Sequence, residues 1–516
     1  MKIKFTFLLI LFCTFSFAQN EFITIWKPSN PSSYPLYNNS PYPASSNTQI
    51  YFSAAGTNYT IYWEEVGNSS NNRTLTDVTS SRYIPVLIDF GTGLSDDSQY
   101  IVKVSNGNGT FSNIESAYGD NKKLLEVKQW GNIIWTTMSL AFYGCENLDV
   151  TAIDIPNLTN VTDFLAMFYE CKNLYGNKSF SLWDTSNVKN MTMMFFKAIN
   201  FNQNIGSWNT SNVIDMNGMF FGVSNFNQEI GNWNTANVIS MRSMFSGADV
   251  FNQNIGNWNT SKVTDMAYMF ASANDFNQDI GNWDMSNVLN TSNMFSGATS
   301  FNKNIGNWDM SNIVNTSWMF YFAPNFNQNI ENWNVSNVTD MSFMFWFASN
   351  FNQNLEKWNL KKVVNIGDIF RNSKLSCQNY DKTLIGWANN PNTPNNLQFT
   401  NNTGMIYSSQ QSVNARNYLI NTKGWTITGD SYNPNCALAT NELQSKKIQI
   451  YPNPAKDFIL IDNLKNNTEV EIYDIQGKLV KKEKYNNSPI SLKNLSQGIY
   501  ILKIPTENYS QKLIVE

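Results

Sequence analysis

The chain has 516 residues, of which 42% are hydrophobic, 14% aromatic and only 14% charged, with a formal net charge of −4. At roughly one domain per 150 residues about three units are expected; the aromatic content speaks against disorder, and the acidic balance leaves no basic footprint for nucleic acid. Histidine is absent, which removes Ser-His-Asp and Cys-His catalysis, His-ligated zinc and the usual general base near neutral pH.

The first 18 residues read as a signal peptide. Lys2 and Lys4 form a positive n-region, Phe5 to Phe15 an apolar core, and Ser16-Phe17-Ala18 a small-x-small cleavage site. No later apolar run reaches the length of a transmembrane helix. Residues 19–125 read as a small β-sandwich: Tyr59 to Trp63, Tyr83 to Phe90 and Tyr100 to Val104 are β-branched and aromatic runs between Asn/Gly/Ser turns.

Residues 126–376 are dominated by a 25-residue repeat. Trp183, Trp208, Trp233, Trp258, Trp283, Trp308, Trp333 and Trp358 recur at that interval, as do Phe195, Phe220, Phe245, Phe270, Phe295, Phe320, Phe345 and Phe370. The unit is Phe-Asn-Gln-x-Ile-Gly-x-Trp-Asn-x-Ser-x-Val-x-x-Met-x-x-Met-Phe. A unit this short cannot bury its own apolar positions, so neighbouring copies must share one core. Val213, Met216, Met219 and Phe220 fall at i, i+3, i+6 and i+7 and predict a short helix. Ile205 to Asn209 predicts a short strand. The fold class expected is therefore a repeat solenoid with a strand and a helix in each coil, flanked by small β-sandwich domains.

Beyond the repeats, residues 377–430 carry two helix-like segments, Tyr380 to Trp387 and Ser412 to Leu419, suited to closing an exposed end. Residues 431–447 read as a linker. Residues 448–516 alternate as strands and hold seventeen charged residues in 69, against thirteen in the 155 from Phe201 to Leu355. Cys145 and Cys171 hold equivalent places in adjacent copies, where parallel side chains rarely give the torsion a disulfide needs. Cys377 and Cys436 bracket the cap, and a disulfide between them would close that loop. In an exported chain such bonds are permitted.

The repeat resembles that of BspA-like leucine-rich repeat surface proteins, shared with mycoplasma surface lipoproteins. It does so through Phe-Asn-Gln-x-Ile-Gly-x-Trp, Ser-x-Val and Met-x-x-Met-Phe. The last 69 residues resemble the type A sorting domain of the Bacteroidetes type IX secretion system, through Tyr451-Pro-Asn-Pro454, Val470 to Asp474, Leu495 to Tyr500 and the closing Lys512 to Glu516. The resemblance implies a secreted or outer-membrane-attached surface protein of a Bacteroidetes-like bacterium, handled by the secretion machinery through residues 448–516. It implies no catalytic residues and no cofactor.

Three repeating features admit a functional and a scaffolding reading. The tryptophans can form a platform for sugar rings, or fill the core with each indole N–H bonded to a neighbouring turn. Asn202, Asn227, Asn252, Asn277, Asn302, Asn327 and Asn352 can present a polar surface, or form a stacked amide ladder. Asp163, Asp215, Asp265 and Asp340 can line up as calcium ligands. Asn190, Ser240, Asn290 and Asn315 take their place in other copies, and all of these can cap a helix whereas only Asp is a strong calcium ligand. Scaffolding is the reading adopted for all three. The function expected is adhesion or interaction with a surface protein or glycan, with a structural coat or spacer as the alternative. Ligand choice would fall to positions that vary between copies, such as Glu229, Asp279 and Lys303.

Overall fold

The computed structural model describes residues 20–32, 43–81, 83–436, 448–462, 464–486, 488–507 and 509–516. The expected signal peptide, residues 1–18, and most of the expected linker, residues 431–447, lie outside them. The chain divides into two compact units, Met1–Pro434 and Asn435–Glu516.

The first unit opens with strands β1 (Phe22–Trp26), β2 (Gln49–Phe52), β3 (Ala54–Glu65), β4 (Asn68–Ser80), β5 (Val86–Asp89), β6 (Tyr100–Ser105), β7 (Thr110–Ile114), β8 (Leu124–Gln129) and β9 (Asp149–Val150). One sheet runs β4-β3-β6-β1-β8-β9, with β7 also on β3, while β2 and β5 form a separate pair. This corrects the expected N-terminal sandwich. β8 pairs in parallel with β9, Val127 opposite Val150, so the sheet runs directly into the first repeat. Phe22 packs on Trp130 and Trp135 at 6.0 and 5.1 Å, and Trp130 on Trp183 at 5.6 Å. A single hydrophobic core continues from Phe22 to Ile427.

The repeats correct the fold class more sharply. A leucine-rich-repeat-like solenoid with a strand and a helix per coil is not what forms. No α-helix lies between residues 130 and 376, and the predicted strand at Ile205 to Asn209 is a turn closed by Trp208 N–H on the Ile205 carbonyl at 3.1 Å. Copies meet through one-residue parallel bridges, in an unbroken run from Asp163–Asn190 through Asn190–Asp215 to Asp340–Asn365.

Backbone donors explain why the helix fails. Met216, Gly218, Phe220 and Gly222 donate to Ser240, Arg242, Met244 and Ser246 of the next copy, at 2.7–3.2 Å. Met219, Phe221 and Val223 donate three residues back within their own copy. An α-helix would claim the first set for bonds four residues back and cut the copies apart. The second set closes tight turns, and Gly218 and Gly222 take φ of +60° and +66°, as the third residue of a type II turn requires. Turns repeating at these intervals leave Val213, Met216, Met219 and Phe220 fully buried, the same stripe a helix would show.

The far end is closed by helix α1 (Cys377–Asn389), strands β10 (Gln398–Phe399) and β11 (Ile406–Tyr407), helix α2 (Gln410–Asn421), and strands β12 (Thr426–Ile427) and β13 (Ser431–Tyr432). Ser376 caps α1 by accepting from Asn379 N–H, and Ser409 and Ser412 form a capping box at α2. A Cβ on Gly386 would overlap the Glu356 carbonyl of the last coil, so glycine lets α1 seat closely. Arg416 donates twice to buried Asp430, Nε to Oδ2 at 2.8 Å and a terminal nitrogen to Oδ1 at 2.7 Å, and the Tyr380 hydroxyl adds a third bond at 3.0 Å.

The second unit holds β14 (Gln449–Tyr451), β15 (Phe458–Asp462), β16 (Thr468–Asp474), β17 (Leu479–Tyr485), β18 (Ile490–Ser491), β19 (Gly498–Ile504) and β20 (Tyr509–Val515). They form a three-stranded sheet, β14-β15-β18, and a four-stranded sheet, β17-β16-β19-β20. One core of its own, from Ile450 to Val515, serves both.

Candidate interaction surface

Each copy sorts its side chains into a buried set that repeats, a half-exposed asparagine edge that also repeats, and turn positions that vary. The eight tryptophans lie inside, 0 to 4% exposed. Trp208 and Trp233 stack with ring centres 6.5 Å apart and planes 2° apart. Trp233 Nε1 donates to the Ile205 carbonyl of the preceding copy at 3.1 Å, Trp258 to Ile230 at 3.1 Å, and so on to Trp358 on Ile330 at 3.0 Å. Trp183 begins the series with its indole N–H buried and unpartnered. Trp387 of α1 ends it, donating to the Leu355 carbonyl at 3.1 Å. The tryptophan faces are thus sealed from any sugar.

The asparagines form a second ladder. Asn227 Oδ1 accepts the backbone N–H of Asn252 at 3.0 Å and the Gln253 amide at 2.9 Å; both bonds repeat at Asn252, and the backbone bond at Asn277, where Lys303 replaces the glutamine. At the end Asn352 Oδ1 accepts Ser376 N–H and the Asn379 amide, so the cap continues the register. Asp163, Asp215, Asp265 and Asp340 each accept the N–H two residues ahead, at 2.8–2.9 Å, as Asn190, Asn290 and Asn315 do. They close Asx turns at the bridge positions, not helix starts. Among the described residues no group of three or more acidic or cysteine side chains is placed to hold a metal ion.

Cys145 and Cys171 are free and fully buried. Burial pushes the Cys145 thiol up to about 12 and raises Cys171 as well, while Cys171 Sγ donates to the Phe142 carbonyl at 3.1 Å. Neither is an accessible nucleophile. Cys377 and Cys436 are both disulfide-bonded.

The exterior is where copies differ. Glu229 and Asp279 are exposed in equivalent places, and Asp279 accepts Gly281 N–H at 3.0 Å. Lys303 is half-buried where other copies carry the ladder glutamine. Sequence reasoning missed a second set of variable positions, four residues apart at the turns with positive φ. One set runs Gly218, Ser243, Tyr268, Asn293, Trp318, Phe343; the other Gly222, Gly247, Ser272, Gly297, Phe322, Phe347. The bulky members are out of place on backbone that favours Gly and Asn. Phe322 and Phe347 are 51% and 38% exposed. The signal was present as glycines spaced by four inside an apparent helix.

A family described as "Mycoplasma protein of unknown function, DUF285" matches three overlapping stretches, 136–248, 219–324 and 300–411, which together cover more than half of the chain. The chain belongs to this DUF285 family. The matched stretches take in the regular repeats and reach into the cap, so the DUF285 region coincides with the stacked ladders. A secretion system C-terminal sorting domain matches residues 449–516, the whole of the second unit's sheets, and indicates export by the type IX system to the outside of the cell. An endo-acting ulvan lyase of Formosa agariphila is 33% identical over 84 residues, 15% of this chain and 16% of the lyase. The chain thus matches only a small part of that relative. No helix among the described residues is long and apolar enough to cross a membrane.

Proposed function

We propose that this DUF285 protein is a non-enzymatic, surface-displayed interaction protein, exported through residues 449–516 and binding a protein or glycan along its repeat stack. The observation that carries this reading is the division of labour within each coil. Interior polar groups of the regular copies are taken up by the neighbouring copy, as the Ile205 carbonyl takes the Trp233 indole N–H and the Ile230 carbonyl that of Trp258. The exterior turn positions vary without disturbing that network, and long stacks present such positions as an extended binding surface. Residues 19–436 form the displayed part and residues 448–516 the sorting part.

The test is a binding screen of the full-length protein against matrix proteins and soluble polysaccharides, read by isothermal titration. Saturable binding supports the interaction role. Absence of binding, with ordered self-assembly in its place, would favour the coat or spacer role. Deleting residues 449–516 is expected to abolish appearance of the protein outside the cell, checked by protease accessibility of intact cells.

A further inference from the structure

Three successive coils build a slot on the exterior that no ladder requires. At the first positive-φ position they carry Tyr268, Asn293 and Trp318, at φ of +60°, +58° and +61°. Parallel bridges set coils about 4.8 Å apart, so the two rings flank Asn293 from roughly 10 Å. Arg242 of the preceding coil covers one face of Tyr268, its guanidinium carbon 5.3 Å from the ring centre. Phe343 of the following coil covers one face of Trp318, with centres 4.2 Å apart and planes at 25°. Trp318 also meets Tyr321 edge-on, with centres 4.9 Å apart, and Tyr321 lines the space between the two rings over the intervening coil. Ser292, Asn293 and Ser296 of that coil line the same concavity of about 620 Å³. Arg242 is paired with Asp265 at 3.3 Å, so its charge is already met.

We propose that this slot binds a pyranose ring of a neutral polysaccharide, a claim that rests on the reading of the stack as a binding surface. A ring in van der Waals contact on both sides needs about 7–8 Å between walls, which the spacing allows. Sugar C–H bonds present positive partial charge to the negative faces of Tyr268 and Trp318. The ring hydroxyls then meet Ser292, Asn293 and Ser296, which both donate and accept hydrogen bonds, as a neutral, hydroxyl-rich ligand requires. Tyrosine and tryptophan at these positions also oppose the backbone's preference. Gly218 and Ser243 hold the same place in neighbouring copies with smaller side chains, so the rings are not there for the turn. Strained residues of this kind cluster at ligand sites.

The experiment is isothermal titration of the full-length protein with a soluble β-glucan, a xylan and a mannan, in parallel with the protein screen. The variants are Trp318→Asn and Tyr268→Asn, which install the residue the intervening coil already carries in that backbone geometry. Phe347→Gly, outside the slot, is the control. The expected result is saturable binding of at least one polysaccharide, weakened about tenfold or more by either slot variant and unchanged by the control. Thermal melting of each variant shows that the fold persists. Equal binding by the slot variants overturns the proposal. Binding of proteins but of no polysaccharide also overturns it, yet leaves the broader interaction role standing; failure of both screens removes both.

Discussion

The interior and the exterior of one coil obey opposite rules. Inside, a residue's neighbour is the same residue one copy on: Trp208 on Trp233, Phe220 on Phe245 at 5.6 Å. Changing one rung leaves two others without a partner, so identity is imposed at every copy. Outside, the two positive-φ positions hold Gly, Ser and Asn in some copies and Trp, Tyr and Phe in others. The turns do not require those rings, which meet one another where successive copies carry them, as Phe343 meets Trp318, and the backbone carries a cost for them. The difference separates what a coil is from what it presents.

The largest break comes from inside. Trp258→Ala removes a buried indole and its bond to the Ile230 carbonyl, so a loss of about 3–5 kcal/mol is expected in urea unfolding. Because copies couple only to neighbours, the unfolding curve should also split into two transitions. Trp183→Phe sharpens the same point. Its indole N–H has no partner, so this change should cost about 1 kcal/mol less than Trp258→Phe.

At the cap, Asp430→Asn strips the charge partner from Arg416, whose pKa the Asp430 bonds raise. Asp430 has no exposed side-chain surface, and about 3 kcal/mol of destabilisation is expected by thermal melting. Asn252→Ala leaves the Asn277 N–H without its acceptor, while the Gln278 amide keeps its bond to the Asn252 backbone carbonyl, for about 1 kcal/mol.

The last effect is confined to alkaline pH. The Cys145 thiol rises from the ordinary value of 9.0 to about 12 in the folded chain. Above pH 9 the unfolded thiol ionises while the folded one stays protonated, so this group's contribution weakens folding progressively from about 9 toward 12. Cys145→Ala, with the residue Ala198 supplies in a later copy, should flatten that slope when stability is measured between pH 8 and 11. An unchanged slope would place its origin in other groups.

How much of this was legible varies by element. The 25-residue spacing of Trp208, Trp233 and Trp258 was enough to place them in shared interior, because only stacking makes such an interval useful. The segment Ser412 to Leu419 was likewise legible as a helix, and α2 extends it to Gln410–Asn421. The turn face was misread because Met216, Met219 and Phe220 satisfy helix spacing and turn spacing equally well. Gly218 and Gly222 carried the correction, being costly inside any helix. The N-terminal sheet was misread as an independent module because β1 and β8 pair from residues about a hundred positions apart, with no local mark of that register. The slot needed Tyr268, Asn293 and Trp318 to be seen as neighbours, which they become only after the copies stack.

The most direct test pairs one interior with one exterior residue of the same coil: thermal melting of Phe345→Ala against Phe347→Gly. Phe345 is fully buried between Phe320 and Phe370, at 5.7 and 6.1 Å, while Phe347 sits at φ +58° and is partly exposed. The account predicts a loss of about 3–5 kcal/mol for the first and an unchanged or raised melting temperature for the second, through relief of about 1 kcal/mol of left-handed strain. A loss above about 2 kcal/mol for Phe347→Gly would contradict it, showing that the exterior rings hold the stack together.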